Sequence, residues 1–220
     1  MRQKRSDYPV RVQLIHAATS LFLEHGFTQT TNKMIVTKAG CSPGQFSNFF
    51  RTKENILLEF LKQISPYQLE QTKRRLAEGM PPVMSFCKEI AVLLSVCEID
   101  EPIHDLYKNA YSLPITLEYI KDFSYKKAML LFGERLPDWN QQDFYETEIV
   151  TTAIIYGCLM EKCSPRFSIE RKVARAVDNL MKIYDFPKEE RMDVISDLMK
   201  MNILERAEIT INNIHNMLAD

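Results

Sequence analysis

The chain has 220 residues, 45% hydrophobic and 26% charged, which excludes a disordered polar chain and is enough to bury a core without staples. Six glycines are too few for collagen, a glycine-rich linker or a sheet protein full of tight hairpins. No apolar run reaches the roughly 18 residues of a membrane span; the longest, Ile149 to Met160, is broken by Thr151, Thr152 and Gly157. The basic start, Met1-Arg2-Gln3-Lys4-Arg5, leads into no apolar run, so no secretory signal is expected and the expected location is the cytoplasm. Cys41, Cys87, Cys97, Cys158 and Cys163 cannot all pair within the chain and show neither CxxC nor zinc-finger spacing, so reduced thiols on helix faces are expected.

The net charge of −1 hides an asymmetry. Residues 1–75 carry twelve basic and five acidic side chains, a net of +7, which leaves −8 for the remainder. A basic front joined to an acidic rear fits a nucleic-acid-binding module attached to something else, although solvated faces alone also fluctuate in this way.

Periodicity predicts helices throughout, with no sustained strand alternation and no internal repeat. The first, Val12 to Glu24, puts Ile15, Ala18, Leu21 and Phe22 on one stripe, and Gly26 follows where a helix end favours a left-handed residue. Thr30 and Thr31 offer N-cap hydroxyls to a short second helix that carries Met34, Ile35 and Ala39 and ends at Gly40. Ser42-Pro43 starts a third helix through Phe46 and Phe49 to Phe50. Thr52 caps a fourth, with Ile56, Leu57, Phe60, Leu61 and Ile64 on its face and Pro66 as a kink or interruption. After the break at Gly79-Met80-Pro81-Pro82, helices are expected over 83–97, 102–110, 114–132, 143–163, 168–185 and 188–217.

The second and third helices, joined by Ala39-Gly40-Cys41-Ser42, describe a helix-turn-helix. Gly40 permits the tight turn, and Gly44 lets backbone approach a duplex closely. The N-terminus of the third helix offers free N–H groups to phosphate, while Gln45 and Asn48 are side chains able to read adenine edges.

At this point the sequence resembles the TetR family of bacterial transcriptional regulators. The likeness runs from Arg11 to about Leu58: Leu21-Phe22 to Gly26-Phe27, Thr30-Thr31, Ala39 to Gly44 in the pattern Ala-Gly-x-Ser-x-Gly, Phe49-Phe50 and Lys53-Glu54. The resemblance implies an all-α fold: a three-helix DNA-binding domain over 1–52, then a larger helical ligand-binding and dimerisation domain over 53–220, with the fourth helix as connector. It implies phosphate contacts by Thr31 and Lys53, and contacts by Thr30, Lys33, Ser42, Gly44, Gln45, Ser47, Asn48 and Phe49 on or beside the recognition helix. Ser47 stands where the family usually has Tyr, and Phe49 where it has His or Tyr; Phe49 has no hydrogen bond to give. Phe46, Phe49 and Phe50 read as core and cap residues rather than base-stacking groups, Thr30 also as a plain N-cap, and Arg2, Lys4 and Arg5 as a solvated tail or a minor-groove arm.

By the same resemblance the protein is a homodimer on a palindromic double-stranded operator, a repressor released by a small-molecule effector, with the fourth helix as lever. The helices over 143–163 and 168–185 are the dimer candidates, through Ile149, Ile154, Leu159, Val173, Val177 and Leu180, which otherwise fill the monomer core. An effector cavity is expected within residues 83–160, lined by Met84, Tyr107, Tyr111, Tyr125, Met129, Trp139, Tyr156 and Met160. His104 with Asp105 either anchors a polar ligand or forms an exposed pair. No histidine has metal-ligand spacing, and no cofactor is implied. There is no P-loop, GxSxG, HExxH or Rossmann glycine pattern, so an enzyme is not expected. The competing reading is a helical interaction or nucleoid-associated protein without specific operator binding.

Overall fold

The computed structural model describes residues 4–216, with side chains from 9 to 215. The side chains of Arg2, Lys4 and Arg5 lie outside the described residues, so the arm expected there has no structural counterpart to discuss. Eleven helices follow in order among the described residues: α1 (Lys4–Gln29), α2 (Asn32–Ala39), α3 (Pro43–Phe49), α4 (Lys53–Ala77), α5 (Pro82–Ile99), α6 (Glu101–Ser112), α7 (Pro114–Phe132), α8 (Gln141–Met160), α9 (Ile169–Ile183), α10 (Lys188–Lys200) and α11 (Ile203–Asn216). The all-helical reading holds; an isolated bridge between Ser164 and Phe167 is the one β feature described.

Helix ends follow side-chain chemistry. The Ser42 hydroxyl accepts from the Gln45 N–H while the Gln45 side chain accepts from the Ser42 N–H at 2.8 Å, a reciprocal capping box that starts α3. Gly40 is left-handed (φ 64°) and closes α2 through bonds to Thr37 and Val36 carbonyls. Pro66 sits inside α4 without ending it. Two expectations change. Thr52 precedes α4 but makes no capping hydrogen bond; its hydroxyl instead accepts from Asn55 at 3.2 Å. The single C-terminal helix is two, because Met201 is extended and the Asn202 carboxamide caps Glu205, an Asn-x-x-Glu start inside an otherwise helical run.

Two cores hold the chain together. The front one contains Leu14, Phe22, Ile35, Phe46, Phe50, Ile56 and Leu57, and continues into Val96, Ile103, Leu106 and Ala110 of α5 and α6. The helix-turn-helix is therefore seated on the rear helices through shared apolar surface. The rear core gathers Phe86, Phe132, Phe144, Tyr184 and Phe186, with the Phe132 and Tyr184 rings 4.7 Å apart. Val173, Val177 and Leu180 of α9 and Leu159 of α8 belong to this core, fully buried, so they are not surface available to a partner. Cys87 and Cys97 are buried thiols, and burial pushes Cys87 up to about 12, which keeps it protonated and inert.

Candidate DNA-binding face and effector cavity

The outer face of the helix-turn-helix presents Lys33 of α2 and Ser42, Gly44, Gln45, Ser47 and Asn48 of α3, all exposed. Thr31 is exposed at the start of α2; its oxygen accepts from the Met34 N–H at 3.2 Å, which leaves its own O–H to donate. Gln45 has a second duty that its spacing from Ser42 signals, because its carboxamide oxygen is held in the capping box. Phe49 is half-buried, with its ring 6.4 Å from that of Phe50, a packing role.

Two expected contacts face the protein instead. Thr30 is fully buried, and its hydroxyl donates to the Gly26 carbonyl at 2.7 Å. It seals the corner between α1 and α2 and has no surface for DNA. Lys53 bends back across that corner. Its ammonium donates to the carbonyls of Phe27 at 2.7 Å, Thr30 at 2.9 Å and Thr28 at 3.4 Å, and lies 4.3 Å from the centre of the Phe27 ring. An ammonium has three donors, and these are committed to the end of α1 rather than left for phosphate. Burial, opposed by Glu54 and Asp105, holds Lys53 below the usual lysine range.

The same corner is gripped from α6. Asp105 of α6 accepts from the Thr28 N–H at 2.6 Å and from its hydroxyl at 2.7 Å, while Asn109 bonds the Thr28 hydroxyl at 3.2 Å. Gly26 adopts φ 80°, and a Cβ there would meet Asp105 Oδ2 at 3.0 Å, so glycine is needed for both conformation and approach. Burial opposes ionisation of Asp105, but the Thr28 bonds together with Lys108 outweigh it and hold the carboxyl below its usual range. Arg11 of α1 pairs with Glu59 of α4 and lies over the Phe50 ring, which fixes the angle at which α4 leaves the module. None of these cross-links has a local signal; Asp105 and Thr28 are 77 residues apart.

A cavity of about 460 Å³ lies behind the module, in the size range of small-molecule sites. Its walls come from α1, α4, α5, α6, α7, α8 and α11. Of the eight lining residues expected from sequence, Tyr107 and Tyr111 are there. The other six are elsewhere. Met84 and Tyr125 are buried in the rear core, where the Tyr125 hydroxyl accepts from Gln141. Trp139 packs on Phe144 with ring centres 5.2 Å apart, Met129 and Met160 are exposed, and Tyr156 lies off the cavity. The missed walls are Phe60, Leu61 and Ile64 of α4 and Ile209 and Ile214 of α11. His104 and Asp105 fit neither alternative, since His104 is buried against the Leu159 carbonyl at 2.7 Å and Asp105 serves the Thr28 corner.

Glu148 is the buried acid of the cavity wall, 2% exposed, and its carboxylate accepts from Tyr184 Oη at 2.6 Å. Burial raises it to about 7, only partly offset by the Tyr184 bond and Lys127.

Residues 14–60 match the family model of bacterial regulatory proteins of the tetR family. A fatty acid metabolism regulator protein of Bacillus subtilis (strain 168) is 28% identical over 95 residues, 43% of this chain and 45% of that protein, so the match spans under half of the relative's length. Among solved structures, RolR in complex with resorcinol is similar at a TM-score of 0.67 and 16% identity, covering 88% of this chain and 96% of that one. The Thermus thermophilus FadR repressor, in complex with lauroyl-CoA, follows at 0.59 and 19% identity over 79% and 92%. At those identities the likeness is one of fold. Built on the helix-turn-helix just described and followed by a helical architecture like that of these structures, the front module of the chain is that of the bacterial regulatory proteins of the tetR family.

Proposed function

We propose that the protein is a dimeric transcriptional repressor that leaves a palindromic operator when a small molecule fills the cavity. The observation that carries this reading is the double use of α4 and α6. Helix α4 starts at the DNA-binding module and forms a cavity wall with Phe60, Leu61 and Ile64. Helix α6 turns Tyr107 and Tyr111 into the cavity while Asp105 and Asn109 hold the Thr28 corner. A ligand that repositions these two helices re-aims the recognition helix, provided it binds the two arrangements with different affinity. Thr31 and the Gly44 N–H at the start of α3 position the module on phosphate, and Gln45, Ser47 and Asn48 read bases.

The dimer reading is supported by an outward stripe on α8: Ile149 and Val150, each 50% exposed, with Ala153, Gly157 and Met160 at helical spacing. Small residues there let two helices approach closely, and the twofold axis brings the same stripe from each subunit together. The test is selection of duplexes from a random pool by the purified protein. The reading expects a palindrome whose preferred bases change in the Gln45→Ala variant. Enrichment without any motif would instead favour a nucleoid-type interaction protein.

A further inference from the structure

We propose that the mouth of the cavity takes the anionic head of an amphipathic ligand whose apolar body lies inside. This deepens the effector reading given above and rests on the cavity being a ligand site. The charges on the cavity wall are unequal. Arg74 and Arg75 of α4, Lys88 of α5, Lys127 of α7 and Arg206 of α11 all line it. Arg74 is answered by Glu78 at 2.9 Å, while Arg75 and Lys127 share the one carboxylate of Glu89. Lys88 and Arg206 have no acidic partner within bridging distance among the described residues. The remaining acid of the wall, Glu148, is taken by Tyr184.

Lys88 registers this imbalance. Burial lowers its pKa, and the positive charges of Arg206 and Arg75 lower it further, with only Glu78 opposing. Three helices thus bring like charges to one place, an arrangement whose repulsion an anion would relieve. Beside them the wall is apolar: Ile64, Ile90, Leu93, Ile120, Phe123 and Ile209. A neutral apolar ligand would leave the cations unanswered, and a small inorganic anion would leave the chamber unfilled. A molecule with a carboxylate or phosphate head and a hydrocarbon body satisfies both.

The test is calorimetric titration of the full chain, without DNA, with decanoate, decanoyl-coenzyme A and decanol. These probes share a tail and carry a carboxylate, a phosphate-bearing and a neutral head. At least one anionic compound is expected to bind about tenfold tighter than decanol. The Lys88→Gln/Arg206→Gln double variant should lose about tenfold for that compound and nothing for decanol. Added salt should weaken the anionic compound alone. Which of the two anions wins identifies the head. If the double variant does not fold, Arg206→Gln at an exposed position carries the same comparison. Equal affinity of decanol and both anions, retention of the anion's affinity by the folded variant, or binding of none of the three would overturn the proposal. Because no DNA is present, these outcomes are independent of whether an operator exists.

Discussion

Replacing Lys53 by methionine separates two roles that the family resemblance and the structure assign differently. In the structure its ammonium makes two well-formed bonds, to the Phe27 and Thr30 carbonyls at 2.7 and 2.9 Å, and a weaker one to Thr28 at 3.4 Å. Charge-assisted hydrogen bonds contribute about 1.5–3 kcal/mol each, and the low end applies because the group is only part-buried. Methionine keeps the apolar stem over Phe27 and removes the donors, so the expected loss of unfolding free energy is about 2–3 kcal/mol. Urea denaturation measures it. DNA binding should weaken on operator and random duplex alike, since the α1–α2 corner loosens. The slope of log affinity against log salt should stay within error of the wild type, because no phosphate contact is lost. A phosphate clamp behaves in the opposite way: stability unchanged within about 0.5 kcal/mol, and a slope shallower by about 0.9. That pair of results would refute the structural role.

The remaining predictions concern the cavity acid, the α6 grip and the dimer face. Glu148 is raised from 4.5 to about 7, so the folded state binds more protons than the unfolded one between those values, and stability falls as pH rises through them. The shift corresponds to about 3 kcal/mol; Glu148→Gln, which can still accept from Tyr184, should flatten this decline in urea melts at pH 5.5 and 8, and an unchanged slope would contradict it. Asp105 has a depressed pKa, so its contribution is present above the ordinary carboxylate range and is lost as pH falls through its lowered value. Asp105→Ala should cost about 2 kcal/mol for the two Thr28 bonds and shrink the ratio of operator affinities with and without a bound ligand; a full ratio would remove α6 from the coupling. Ile149→Glu with Val150→Glu should give a folded monomer by sedimentation that has lost operator binding, whereas an intact dimer would move the interface off α8.

The helix-turn-helix was legible because its determinants are local. Ser42-Pro43 with Gln45 is a complete helix start, Gly40 a complete helix stop, and the stripe through Phe22, Ile35 and Phe46 can only face inward together. The second start at Asn202 was equally local, but Ile195, Leu198 and Ile203 kept an apolar rhythm that masked it. The cavity was not legible, because periodicity shows which face of a helix is apolar and not whether a neighbour fills the space against it. Phe60 and Leu61 therefore read as core and are also cavity wall, while Tyr125 and Trp139 read as lining and are core. The contacts of Lys53 and Thr30 were not legible for a related reason: their partners depend on how the chain turns at Gly26 and Phe27, and a motif position carries no record of that turn.

The most direct test of the account is the affinity of the purified protein for the palindrome it selects, set against a scrambled duplex at near-physiological salt, with the stoichiometry measured in the same titration. Two subunits per palindrome and a preference of about 10³ or more are predicted, with both recognition helices in major grooves about one helical turn apart. Equal affinity for the two duplexes, varying only with salt, would contradict a sequence-specific dimeric regulator.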